Sequence, residues 1–76
     1  MNKDLYTDDT SLNIARAIYH DSPYNPGNMV IGAIITEDSY RALVAGNGEY
    51  WEIGPETIDK LDCDTVNSML IRALRR

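Results

Sequence analysis

The chain has 76 residues, with seven Lys and Arg against twelve Asp and Glu, and therefore a formal charge of −5. A chain of this length can build one hydrophobic core and excludes a second domain, so residues 1–76 are predicted to form a single small acidic domain. Hydrophobic residues make up 43% and charged residues 25%, which is typical of a folded globular protein and excludes a disordered one.

Three further features narrow the class of protein. The longest apolar run, residues 29–35, is far shorter than the roughly 20 residues that a membrane-spanning helix needs, so no membrane association is expected. The first residues lead into no apolar segment of a secretory signal, and Cys63, the single cysteine, has no internal disulfide partner. Both features favour the cytoplasm. The acidic charge disfavours direct contact with nucleic acid.

The first predicted element is a helix from about residue 10 to 20. Residues 8–11 offer a run of N-cap side chains, and the apolar residues that follow recur at helical spacing. Residues 21–28 contain two prolines, a glycine and two asparagines, so they are predicted to form a structured loop.

Three strands are predicted next. Residues 29–36 are rich in β-branched side chains and apolar on both alternating faces, which is typical of a strand packed on both sides or of one with a face at an interface. Residues 37–45 fit either a short helix capped by Thr36 or a strand over 39–45, and their position favours the strand. Residues 46–48, Gly-Asn-Gly, are a hairpin signal before a strand over 49–53.

The C-terminal third is predicted to be helical. Pro55 can occupy the first turn of a short helix over residues 56–61, and residues 62–65 look like a break followed by a new N-cap. A last helix then follows. The C-terminal end of a helix carries a partial negative charge, which favours the arginines at the end of this one. Its apolar stripe is Val66, Met69, Leu70, Ala73 and Leu74, and the arginines are Arg72, Arg75 and Arg76.

The predicted fold is α+β, in the order α-β-β-β-α-α. It combines a three-stranded antiparallel β-meander with an N-terminal helix and one or two C-terminal helices, which are expected to cover one face of the sheet. If Trp51 and Ile53 face the core, the alternation of the strand turns Tyr50 and Glu52 to the opposite face. Trp51 itself is predicted to be the main core aromatic, with an exposed binding anchor as the alternative.

No catalytic or metal-binding constellation is recognisable. His20 and Cys63 are single, whereas a metal site needs several ligands at a closing spacing, and acids on both sides of Cys63 disfavour a thiolate. No Ser has a base and an orienting group at a recognisable spacing. The protein is therefore expected not to be an enzyme and to need no cofactor.

The acidic middle of the chain is the candidate functional surface. Residues 37–64 contain eight acids against Arg41 and Lys60, and all six aromatics of the chain are Tyr or Trp, which are frequent in binding hot spots. These features predict a surface for a partner with a basic face. The candidate residues are Glu37, Asp38, Tyr40, Glu49, Tyr50, Glu52, Glu56 and Asp59.

The leading functional hypothesis is a non-enzymatic protein-binding module. A basic face is often one that binds nucleic acid, so the hypothesis extends to an inhibitor of a host or phage protein, of the kind that phages and mobile elements encode. One alternative is a structural or regulatory homo-oligomer, in which strand 29–36 or the stripe of the last helix joins two copies. Another is a small DNA-binding regulator that uses the last helix and the 46–48 hairpin.

Overall fold

The computed structural model describes residues 4–75. Its elements in chain order are β1 (Asp4–Tyr6), α1 (Asp9–Tyr19), β2 (Met29–Ile35), β3 (Tyr40–Gly46), β4 (Glu49–Ile53), β5 (Ile58–Leu61) and α2 (Cys63–Leu74). The strands form one antiparallel sheet in the order β1-β2-β3-β4-β5. The predicted α+β class is confirmed, with two helices and five strands. Arg76, one of the predicted closing arginines, lies outside the described residues.

The helices lie on opposite faces of the sheet. Tyr19 and Ala15 of α1 pack on Val30, Val44 and Ile53, which point to one face. The other face packs against α2 through a second cluster, and this cluster is formed by Leu5, Ile34, Leu43, Val66 and Met69. The expectation that the helices cover one face is therefore wrong, because β2 and β3 are apolar on both faces and each face needs its own cover.

The α1 helix and the central strands agree with the sequence prediction. Asp8 is the N-cap of α1, and its side chain accepts a hydrogen bond from the Ser11 amide at 2.9 Å. Residues 40–46 form a strand, which removes the helical alternative for 37–45. Asn47 and Gly48 both have positive φ in the β3–β4 hairpin, as the Gly-Asn-Gly signal predicts.

Residues 58–61 form strand β5, so the predicted short helix over 56–61 is wrong. Gly54 donates to the carbonyl of Thr57 at 3.0 Å and closes a turn, after which Ile58 pairs with Ile53. Six residues gain few internal helical hydrogen bonds, whereas the open edge of β4 offers a ladder to each residue that pairs with it. Strand β1, which the sequence analysis missed, is only three residues long and pairs with the other edge through Leu5 and Ile34.

Helix α2 begins where the sequence indicates. Asp62 is its N-cap, accepting from the Thr65 amide at 2.7 Å and from the Thr65 hydroxyl at 2.9 Å. Val66 and Met69 are buried against the sheet, as the stripe predicts, but Leu74 at the end of the helix is 82% exposed. The apolar stripe of α2 therefore packs mainly against the sheet of the same chain.

Candidate functional site: an acidic end of the sheet

Two turns adjoin at one end of the sheet. The β2–β3 turn (36–39) and the β4–β5 turn (54–57) lie at the same end, since antiparallel register pairs Ile35 with Tyr40 and Ile53 with both Ala42 and Ile58. A pocket of about 330 Å³ lies between the turns and includes residues of both. We call this region the acidic end. It comprises residues 36–39 and 54–57 together with Arg41, Glu52 and Asp59.

An ion pair lies beneath the acidic end. Arg41 Nη1 lies 3.0 Å from Glu52 Oε2, and the Glu52 side chain is only 1% exposed. Glu52 lies on the neighbouring strand β4, on the same face of the sheet as Arg41 and two positions away diagonally. Long side chains can bridge this diagonal. The charge of Arg41 is therefore compensated inside the molecule before any partner binds.

Arg41 also fixes the β4–β5 turn. Its Nη2 donates to the hydroxyl of Thr57 and lies 3.7 Å from Asp59 Oδ2. The guanidinium passes directly over Gly54, where a Cβ atom would lie 2.8 Å from Arg41 Nε. The absence of a side chain at Gly54 thus gives the guanidinium the space from which it reaches Glu52, Thr57 and Asp59.

The acidic side chains around this pair are mostly exposed. Glu37 and Asp38 lie at the tip of the β2–β3 turn, which is closed by a 3.0 Å bond from the Thr36 amide to the Ser39 carbonyl. Glu56 lies on the facing turn and is also exposed. With Asp59 they place four accessible carboxylates at this end of the sheet, and the guanidinium of Arg41 is already paired with Glu52, so the end carries a net negative charge.

The structure separates two of the predicted site residues from this group. Glu49 lies at the opposite end of the sheet, beside the β3–β4 hairpin, where it forms an ion pair with Lys60. Tyr50 also lies there and packs, partly buried, on the cluster beneath α2. Tyr50 and Glu52 do lie on the face opposite Trp51 and Ile53, as the alternation predicts, but α2 covers that face, so Tyr50 is partly buried and Glu52 is buried.

Tyr40 is at the acidic end but on its inner side. Its hydroxyl donates to the carbonyl oxygen of Ser11 at 2.5 Å, and its ring packs against the cluster beneath α1. Burial raises the pKa of Tyr40 above its ordinary value, and the nearby negative charge of Asp8 raises it further. Tyr40 therefore supports the site from below, while Glu37, Asp38, Glu56 and Asp59 form its accessible surface.

The central residue of the site, Arg41, was not among the predicted site residues. Its signal in the sequence is a charged side chain inside a strand, Tyr40–Gly46, whose other residues are apolar or small. A cation in such a strand requires a carboxylate on the same face of a neighbouring strand, and Glu52 provides it. Pro55 and Thr57 of the pocket gave no comparable signal.

Residues 4–75 contain neither a clustered set of metal ligands nor a helix suited to span a membrane. No group of three or more His, Cys, Asp or Glu side chains in this part of the chain is arranged to hold a metal ion. Within the same residues, neither helix has the length and apolar character needed to cross a membrane. Comparison of the chain with protein-family models, curated proteins and solved structures finds no match.

Proposed function

We propose that this protein is a non-enzymatic binding module whose acidic end docks on a basic, nucleic-acid-binding surface of a host or phage protein and thereby inhibits it. The observation that supports the proposal is the position of Glu37, Asp38 and Glu56 on two adjoining turns, whose nearby cation, Arg41, is already paired with Glu52. Phages and mobile elements encode small acidic inhibitors of this kind, and Cys63, exposed and without a disulfide, suits a cytoplasmic setting.

The charge arrangement accounts for how such a module would work. Clustered carboxylates accelerate encounter with a basic surface and orient the complex, and they compete there with the phosphates of nucleic acid. The turns are held by the hydrogen bonds at Thr36 and Gly54 and by Arg41, so little ordering is required on binding. The pocket between them, which Pro55 lines, can receive the aliphatic part of a lysine or arginine side chain.

The two alternatives have less support. The homo-oligomer hypothesis started from apolar surfaces on strand 29–36 and on the last helix, and these are largely buried within one chain. The DNA-binding hypothesis needs the 46–48 hairpin and the closing arginines together. The hairpin lies at the end of the sheet where α2 begins, whereas Arg72 and Arg75 are at the far end of that helix.

The test compares two triple variants with the same change of net charge. E37Q/D38N/E56Q neutralises the acidic end, and D21N/E49Q/D64N neutralises three acids elsewhere. Each immobilised protein is exposed to a host-cell lysate, the retained proteins are quantified by mass spectrometry, and nucleic-acid binding by each retained protein is measured with and without the added module. We expect a basic protein that only the acidic-end variant fails to retain, and whose nucleic-acid binding the wild-type module inhibits.

Two results would contradict the proposal. An equal loss of retention by both triple variants would mean that total charge, and not the acidic end, attracts the partner, and undiminished retention by both would mean that neither set of carboxylates does. Retention of a partner whose nucleic-acid binding the module leaves unchanged would exclude inhibition at that surface. Thermal melting of both variants serves as the control for folding. Replacing a surface carboxylate with its amide usually changes stability by no more than about 0.5 kcal/mol.

A further inference from the structure

The two edges of the sheet differ in how open they are. Strand β1 is three residues long, and α2 packs against it so that Leu5 is 1% exposed. Strand β5 forms the other edge, and three of its four residues, Ile58 to Lys60, are exposed. An exposed edge strand presents unpaired backbone groups to which another extended segment can add.

The hydrogen-bond phase of β5 identifies which backbone groups face outward. The bond from the Gly54 amide to the Thr57 carbonyl makes Ile53 and Ile58 a non-hydrogen-bonded pair of the antiparallel ladder. Asp59 and Leu61 therefore bond to β4. Ile58 and Lys60 direct their N–H and C=O groups away from the sheet, so two residues of β5 can bond to a further strand.

The side chains beside this edge define the chemistry of such a strand. Ile58 is 40% exposed on the α1 side of the sheet. The Asp59 side chain, on the α2 side, is 66% exposed even though its Oδ2 lies 3.7 Å from Arg41 Nη2. The cation of Lys60 on the α1 side is already paired with Glu49. An added strand would thus meet an apolar neighbour at Ile58 and a carboxylate at Asp59, with Glu56 on the adjoining turn.

We infer that β5 is a docking edge for an extended segment of the partner that carries a lysine or arginine next to an apolar residue. The apolar residue pairs with Ile58 and the adjacent cation, which points to the other face, pairs with Asp59. Backbone bonds to Ile58 and Lys60 extend the sheet to six strands. This inference rests on the proposed function, because it specifies how the basic partner of the acidic end is held.

The experiment separates the backbone of the edge from its side chains. Lys60→Pro removes the outward N–H, which forms no bond in the ladder, while Lys60→Ala removes the same ion pair with Glu49 and keeps the N–H. The probe is a capped hexapeptide of alternating valine and arginine, with a valine–glutamate hexapeptide as the control. Affinity is measured by fluorescence anisotropy, and amide hydrogen exchange is measured at Ile58 and Lys60 in the wild-type protein.

We expect Lys60→Pro to weaken binding of the arginine peptide by about tenfold, since one backbone hydrogen bond is lost and the added strand is displaced, whereas Lys60→Ala changes it by less than about threefold. The amides of Ile58 and Lys60 should become protected when the peptide is added. Equal affinity of the two variants, or no new protection at these amides, would overturn the edge inference. So would absence of binding of the arginine peptide to the wild-type protein.

The proposed function fails by a different result. It is tested by the partner that is retained from lysate and by the variant E37Q/D38N/E56Q. None of these three substitutions alters a β5 residue. Loss of peptide binding in Lys60→Pro together with unchanged partner retention in the triple variant would support the edge and reject the acidic end. Unaltered peptide binding in Lys60→Pro together with lost retention in the triple variant would do the reverse.

Discussion

The hydroxyl of Tyr19 donates to the carbonyl oxygen of Tyr40 at 2.6 Å, and Tyr40 in turn reaches back to α1 through its own hydroxyl. The two side chains come from the end of the helix and the start of β3. They tie α1 to the strand that carries Arg41. The acidic end therefore takes its support from the α1 side of the molecule as well as from the ion pair on the α2 side.

Tyr40→Phe should lower the free energy of unfolding by about 1 kcal/mol, because it removes the bond to the Ser11 carbonyl and leaves the ring in place. It should also change the response to alkali. The pKa of Tyr40 is raised in the folded state. The stability that the neutral Tyr40 side chain contributes is therefore complete below about pH 10 and is lost as the pH rises through the folded-state pKa.

Urea unfolding at neutral and at alkaline pH measures both effects. The variant should lose less stability between the two pH values than the wild-type protein does. Tyr24→Phe is the matched control, since Tyr24 is 39% exposed and has no hydrogen bond from its hydroxyl among the described contacts. An alkaline loss of stability as steep in Tyr40→Phe as in the wild type would contradict the assignment.

Arg41→Ala should be among the most destabilising substitutions, at about 3–5 kcal/mol. It leaves the carboxylate of Glu52 buried without its guanidinium, and it also removes the contacts to Thr57 and Asp59. Arg41→Met/Glu52→Leu should be less destabilised than Arg41→Ala, because no uncompensated charge remains. Chemical denaturation of these two variants and of Glu52→Leu, at one pH, provides the comparison.

The same variants report on function. The double variant lacks the contacts by which Arg41 holds the β4–β5 turn, so it should retain less of the partner than the wild-type protein does, even when its melting temperature remains above the assay temperature. A double variant less stable than Arg41→Ala would contradict the expectation, because Glu52 would then stabilise the fold even without the guanidinium of Arg41.

Much of the central fold could be predicted because it depends on local signals. The cap at Asp8, the Gly-Asn-Gly hairpin and the β-branched run of β2 each act over a few residues, and the elements begin and end close to where they indicate. Both short edge strands were missed or misassigned. Neither β1 nor β5 has a pattern of its own, and each becomes a strand because a longer neighbour offers a ladder.

The candidate site could be predicted only in part, for a related reason. Counting acids finds Glu37, Asp38, Glu56 and Asp59 but gives no indication that Glu49 is at the other end of the sheet. The burial of Glu52 follows from α2 lying across its face, which depends on where the last helix packs and not on the pattern of β4. Register and helix placement are tertiary properties, and they decide which charges gather.

Asn25→Ala should destabilise the protein by about 2 kcal/mol through the loop before β2. The side-chain nitrogen of Asn25 donates to the carbonyl oxygens of Tyr19 and His20 at 3.3 and 3.1 Å. The side-chain oxygen accepts from the backbone amides of Gly27 and Asn28 at 3.0 and 2.7 Å. One side chain thus caps the end of α1 and shapes the next turn. Several partly exposed bonds of this kind justify the magnitude.

Asn25→Asp divides these roles. It keeps the acceptor for Gly27 and Asn28 but loses both donors, and its carboxylate faces the negative end of α1, so it should be destabilising as well. Melting curves of the two variants test this assignment. Thermal stability equal to the wild-type protein in both would mean that the loop is held by other contacts, such as the close approach of Gly27 to Gly46.

Asp62 should make the stability of α2 sensitive to acid. Hydrogen bonds from the backbone amide and the hydroxyl of Thr65 lower the pKa of Asp62 below its ordinary value near 3.8, because they stabilise the carboxylate. A lowered folded-state pKa means that the contribution of the cap is complete above the unfolded pKa and is lost as the pH falls through the folded-state value.

Asp62→Asn keeps an oxygen acceptor and removes the titration, so its melting temperature should fall less between pH 5 and pH 3 than that of the wild-type protein. Asp62→Ala should melt lower than both at pH 5, because neither the Thr65 amide nor its hydroxyl keeps a partner at residue 62. An equal acid response in wild type and Asp62→Asn would contradict this assignment, because the acid sensitivity would then not come from the cap.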